Sequence, residues 1–271
     1  MVQADYPTSE INVRVVGRQE PTLIFVHGFG CALDDWDRQV EALSPRFRCV
    51  VVDLPGHGGS PRTETASIAV MGGAVNSVKE RIGARNTILV GHSMGCRVII
   101  EACLQSRSNL AGLVFVDGSI LSGDPETVIK RAKDAIDCEG MDAFTQRLFG
   151  EMFLKDSDAM LRRRLVARAL GVDAKSREAL FLDLIRWDLT KVKDALRLIT
   201  VPALLLQSTY INSELKRMPM QLGMTTPWME AVASSVPASE AKIMRDVGHF
   251  AMIEGARPVN EAIETFAARL A

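Results

Sequence analysis

Residues 88–100 read ILVGHSMGCRVII, an apolar run that enters Gly91-His92-Ser93-Met94-Gly95 and continues into a segment of helical character. Short apolar runs bounded by glycine suit strands covered on both faces. Glycines on either side of a serine permit the close backbone approaches of a sharp turn from strand to helix. Such a turn lifts Ser93 above the sheet and leaves it at a helix N-terminus. A serine hydroxyl is a weak nucleophile in water, so it needs access, a neighbouring base and donors for developing negative charge. The turn meets the first need and makes Ser93 the candidate nucleophile.

The same kind of run recurs outward from this stretch, at 13–17, 22–28, 48–56, 110–118, 201–208 and 241–246. Helical segments lie between most of them, and this alternation predicts an α/β fold with a mostly parallel central sheet flanked by helices. The pattern breaks between 122 and 199. Asp124-Pro125-Glu126 places a cap, a first-turn proline and an acid at a helix start. Helical stretches follow at 141–153, 157–170, 175–187 and 190–199. The expected organisation is a core domain of residues 1–121 and 200–271 with a helical cap, 122–199, inserted into it.

Composition narrows the function. The 271 residues carry 32 Lys and Arg against 33 Asp and Glu, a formal charge of −1. That balance gives no electrostatic footprint for nucleic acid or an anionic membrane. Five cysteines without a CxxC pair argue against a disulfide framework or a zinc site. No run approaches a membrane span and the first residues lack a secretory pattern, so a soluble cytoplasmic protein is expected. No HExxH, P-loop or GxGxxG at a strand–helix junction is present, so neither metal nor cofactor is expected.

The chain resembles the α/β-hydrolase family along nearly all its length. The residues that carry the resemblance are His27-Gly28-Phe29-Gly30, Asp53-Leu54-Pro55-Gly56-His57-Gly58-Gly59-Ser60, the Gly91–Gly95 turn, and Gly248-His249-Phe250. The resemblance implies an oxyanion hole from the backbone N–H groups of Met94 and Phe29. A glycine-rich turn after a buried strand exposes such groups with few side chains in the way.

Among four histidines, His249 is the expected base. It lies on a loop after the last strand, in the family's order of serine, acid, histidine. His92 precedes Ser93 on a strand, where neighbours point to opposite faces, so it should be buried beside the site. His27 and His57 are expected to support their glycine-rich loops.

The acid is the open question. In the commonest family pattern it lies on the loop after the strand that follows the cap, but no Asp occurs between Asp194 and Asp246. Where the family has Asp, this chain offers Ser208, Thr209, Tyr210 and Ile211. Asp117, at the end of the strand after the Ser93 helix, is the first candidate, because strand ends aim at the side where catalytic loops gather. Glu214, in the charged and solvated-looking run ELKR, is the alternative, and a weakly supported Ser–His pair is the remaining one. Arg162-Arg163-Arg164 reads as a solvated helix face in preference to an anion site.

These residues predict a serine hydrolase of carboxylic esters or lactones acting through an acyl-enzyme. The substrate is expected to be a small molecule with an apolar acyl or ring-bearing group. Carbon–carbon bond hydrolases, perhydrolases and acyltransferases share the scaffold, as does a ligand receptor without turnover.

Overall fold

The computed structural model describes residues 10–212 and 217–271. The strands are β1 (Val13–Val16), β2 (Thr22–Val26), β3 (Arg48–Val52), β4 (Thr87–His92), β5 (Leu110–Val116), β6 (Ala203–Gln207), β7 (Thr209–Ile211), β8 (Arg217–Pro219) and β9 (Ser239–Ile243). Seven form one sheet in the order β1-β3-β2-β4-β5-β6-β9. Only β1 runs against its neighbour. All seven strands expected from sequence are present, shorter at their carboxyl ends because those residues turn into loops.

The register aligns the carboxyl ends in one row. Val26 pairs with Val52 and Gly91, and Val116 with His92 and Leu206. The loops that begin at His27, Asp53, Ser93, Asp117 and Ser208 therefore open on the same edge, where ligands of such sheets bind. The middle strands are apolar because both faces are covered. Every residue of β2, β4 and β6 is buried.

The helices are α1 (Asp37–Leu43), α2 (Ile68–Arg81), α3 (Met94–Gln105), α4 (Pro125–Glu139), α5 (Met141–Gly150), α6 (Ala159–Gly171), α7 (Ala174–Thr190), α8 (Val192–Arg197), α9 (Pro227–Ser235), α10 (Ala251–Glu254) and α11 (Ala256–Ala268). One packed group contains α2, α3, α8 and α9, and another contains α1, α10 and α11. Between β5 and β6, α4 to α7 pack on one another, while α8 packs against α3 and α9. Asp124 accepts from Thr127 N at 2.9 Å and caps α4, as its sequence anticipates. Asp158 and Asp173 cap α6 and α7 in the same way. None of the described helices is long and apolar enough to cross a membrane.

The antiparallel ribbon β7–β8 has no counterpart in the expected strands. Three-residue strands are too short to carry a periodic signal.

Candidate active site

Ser93 sits between β4 and α3 at φ 53° and ψ −115°. Two glycines make this turn possible. A Cβ on Gly91 would lie 2.4 Å from the Gly95 carbonyl oxygen, and one on Gly95 would lie 2.4 Å from the Val26 carbonyl oxygen. Ser93 N donates to Val116 O at 3.0 Å, which ties the turn to β5. Met94 is the first residue of α3, so its N–H belongs to the set that a helix leaves without internal partners. Gly28 packs against the turn, its Cβ position 3.3 Å from Ser93 Cβ, which brings the loop carrying Phe29 alongside the hydroxyl.

His249 reaches Ser93 from the loop after β9. Its Nε2 lies 2.8 Å from Ser93 Oγ, and its Nδ1 lies 2.6 Å from Asp117 Oδ2. This network assigns the proton to Nδ1, so Nδ1 donates to the carboxylate and Nε2 accepts from the hydroxyl. Burial pushes the His249 imidazole down to about 4, and the Arg217 charge pushes the same way against the Asp117 hydrogen bond. The ring is neutral at neutral pH. Burial alone raises the Asp117 carboxyl, but the hydrogen bond and charge of His249, the Arg217 charge and the Thr209 hydroxyl outweigh it and hold it at about 2.

The segment that lacks the usual aspartate is built around Asp117. Ser208 N and Thr209 N each donate to Asp117 Oδ1 at 2.8 Å, and Gln207 Nε2 donates to the same oxygen at 3.1 Å. Thr209 Oγ1 donates to Oδ2 at 2.6 Å. The loop after β6 thus supplies donors to the Asp117 carboxylate, which follows the last residue of β5. Glu214, the alternative acid, lies outside the described residues. Its neighbour Arg217 departs from the solvated reading of ELKR: the side chain is 14% exposed and its Nη1 lies 3.3 Å from Asp117 Oδ2.

The other histidines are fully enclosed and unconnected to the Ser93 hydroxyl. His92 Nε2 donates to the His249 carbonyl at 2.9 Å, and burial lowers its pKa to about 3. His27 Nε2 accepts from Leu54 N at 3.0 Å, and His57 Nδ1 donates to Pro55 O at 3.0 Å. Both brace the loops that carry Phe29 and Asp53. Asp53 in turn accepts from Asn12, Leu33 and Gly59.

Sequence reasoning missed two residues that hold the turn from the far side. Arg97 on α3 donates to the Ser93 carbonyl at 3.1 Å and forms a two-bond pair with Asp188 of α7 at 2.8 and 2.6 Å. Arg97 is an arginine in an otherwise apolar helical run, which was the available signal for a buried partner. Of the Arg162–Arg164 run, Arg163 and Arg164 are exposed as expected, whereas Arg162 lies over the Phe153 ring at 5.3 Å.

The helices between β5 and β6 reach the site. His249 N donates to Met152 O at 3.1 Å, and Phe181 of α7 lies 5.7 Å from Phe29 and 4.9 Å from Phe144 of α5. A groove of about 1040 Å³ runs past Asp34, Asp158 and Glu254 but has none of Ser93, His249 and Asp117 in its wall. A smaller cavity of about 150 Å³ lies beside Asp117, between Ser119, Tyr210, Arg217 and Trp228. Among the described residues no three His, Cys, Asp or Glu side chains are placed to hold a metal ion.

Comparison with known proteins agrees with this architecture. A pimeloyl-[acyl-carrier protein] methyl ester esterase of Methylococcus capsulatus is 32% identical over 152 residues, 56% of this chain, and the chain spans only about half, 54%, of that relative's length. A thermophilic esterase from Thermogutta terrifontis superposes with a TM-score of 0.79 at 22% identity, covering 96% of this chain and 93% of the other. An enol-lactonase from Burkholderia xenovorans does so with a TM-score of 0.76 at 21% identity, covering 94% and 95%. These structural likenesses speak to the fold. Residues 23–262 match the Alpha/beta hydrolase family, and the chain belongs to it.

Proposed function

We propose that the chain is a serine hydrolase of carboxylic esters or lactones. The observation that carries this is the hydrogen-bonded line Ser93–His249–Asp117, with the serine on a strained turn at the carboxyl edge of the sheet. His249 Nε2 takes the Ser93 proton as Oγ attacks the substrate carbonyl carbon. The oxyanion is held by the N–H groups of Met94 and Phe29. His249 then returns the proton to the departing alkoxide, which leaves an acyl-enzyme on Ser93. Water, deprotonated by the same nitrogen, releases the acid and restores the serine. Asp117 orients the imidazole and stabilises the imidazolium formed in each half-reaction.

The substrate is a small molecule with an apolar acyl or ring-bearing group. Phe29, Phe144 and Phe181 support this, because they bring an aromatic surface from the helical insert against the loop that flanks Ser93. We assign α4 to α7 the role of a lid over this surface. The names of the relatives, an esterase and a lactonase, point to the same class of bond.

Labelling by a fluorophosphonate together with turnover of a p-nitrophenyl ester series and a lactone panel tests the proposal. The expected result is stoichiometric labelling and turnover, both lost in Ser93→Ala. Labelling without turnover of any ester or lactone would overturn it in favour of a receptor or another acyl chemistry.

A further inference from the structure

Asp117 Oδ2 is shared by three donors. It receives His249 Nδ1 at 2.6 Å, Thr209 Oγ1 at 2.6 Å and Arg217 Nη1 at 3.3 Å. Arg217 Nη1 also donates to Thr209 Oγ1 at 2.7 Å. A hydroxyl has one proton, so an oxygen that accepts from a guanidinium turns that proton toward its other partner. The Thr209 proton is thereby fixed on Asp117, and the three groups form a closed triangle on the carboxylate oxygen that receives His249. Arginine cannot shed its charge there, because the guanidinium stays protonated in proteins.

We propose that Arg217 is a positioning residue of this site: it locks Thr209 onto Asp117 and sets how strongly that carboxylate polarises His249. This rests on the reading of His249 as the base. An unopposed buried aspartate beside a histidine favours the imidazolium. A cation on the same oxygen offsets that pull, so the imidazole rests neutral and becomes charged only as the serine proton moves. The consequence is a base that stays competent in mildly acidic solution.

The other charged and titratable groups around His249 do not take this role. His92 on β4 lies beneath the ring with its centroid 4.7 Å away and is neutral. Arg97 on α3 also acts on His249 through its charge, but its guanidinium is committed to Asp188. Glu151, just after α5, acts on Arg217, and Glu254 on α10 feels the Asp117 charge, each without touching Asp117. Among the described residues, Arg217 is the arginine or lysine in contact with Asp117.

The test is a pH titration of the His249 imidazole by NMR in the wild-type chain, Arg217→Gln and Arg217→Lys, paired with the pH dependence of fluorophosphonate labelling. Arg217→Gln is expected to raise the His249 midpoint by roughly one pH unit or more, with the acid limb of labelling moving alongside it. Arg217→Lys, which keeps the charge, is expected to titrate near the wild type. Thr209→Val provides a second route should Arg217→Gln fail to fold, with an upward shift expected. An unchanged or lowered midpoint in a folded Arg217→Gln or Thr209→Val chain overturns the inference, as does a uniform loss of labelling at every pH. A wild-type chain that titrates as expected and labels at Ser93 but turns over no ester or lactone sinks the proposed function and leaves the Arg217 assignment standing.

Discussion

Two non-glycine residues of the site, Ser93 at φ 53° and Asp117 at φ 46°, occupy the left-handed region. Such conformations cost about 1–3 kcal/mol and persist where the surroundings over-determine them. For Ser93 the determinants are the β5 carbonyl above its N–H and the Arg97 guanidinium below its C=O. For Asp117 they are its N–H to Leu206 O and the ring of donors on its carboxylate. Asp117→Asn places an amide N–H₂ among groups that are all donors and denies His249 Nδ1 its acceptor. The expected outcome is a kcat lowered by roughly 10⁴, read from ester turnover, while circular dichroism reports whether the fold survives. A kcat within tenfold of wild type would remove Asp117 from the proposed triad.

At the scale of elements, the site depends on how α3 is held at both ends of its first turn. Gly91 and Gly95 let α3 descend onto β4 and β2 without a side chain between the backbones. Arg97 then links that turn to α7 through Asp188, both side chains being almost wholly enclosed. Breaking a buried pair by removing one partner leaves a charge without compensation and costs about 3–5 kcal/mol. Asp188→Ala should therefore lower the unfolding free energy by that order, measured by urea denaturation. It should also release the Ser93 carbonyl contact, so ester turnover falls more steeply with temperature than in the wild type. The β7–β8 ribbon carries little sequence signal yet bears directly on Asp117. Its first strand begins at Thr209 and its second at Arg217, and both end on the same carboxylate oxygen.

For the molecule as a whole, four histidines have their pKa values lowered by burial: His27, His57, His92 and His249. Each is favoured in its neutral form by the fold, so below the ordinary imidazole value of 6.5 the unfolded chain binds more protons than the folded one. The stability they contribute is present above pH 6.5 and is lost as pH falls from there toward the folded values, about 4 for His249 and about 3 for His92. Each contributes roughly 1.4 kcal/mol per pH unit crossed. Asp117, held at about 2 against 3.8, adds a further loss below pH 3.8. Thermal unfolding should show a flat Tm between about pH 7 and 8 and a steep fall between about pH 6 and 4, with a second loss above about pH 9, where the buried thiols of Cys49 and Cys96, pushed up to about 12, resist the ionisation that the unfolded chain allows. A Tm independent of pH across the acid window would mean that the histidines are not held neutral. The alternation of apolar runs and helices determined the α/β sheet by itself, because strands buried on both faces must be apolar throughout and glycines must stand where backbones touch. Ser93 and His249 were legible as candidates because each lies inside a local pattern of turn chemistry and chain order. Asp117 was legible as the first candidate acid because it ends the strand after the Ser93 helix, but that position alone left Glu214 open as the alternative. The β5–β6 register places Ser208 and Thr209 against Asp117, a contact that no local pattern announces. The inward course of Arg217 and the pairing of Arg97 with Asp188 likewise belong to the tertiary structure, because a charged side chain is buried only where a distant part of the chain supplies its partner.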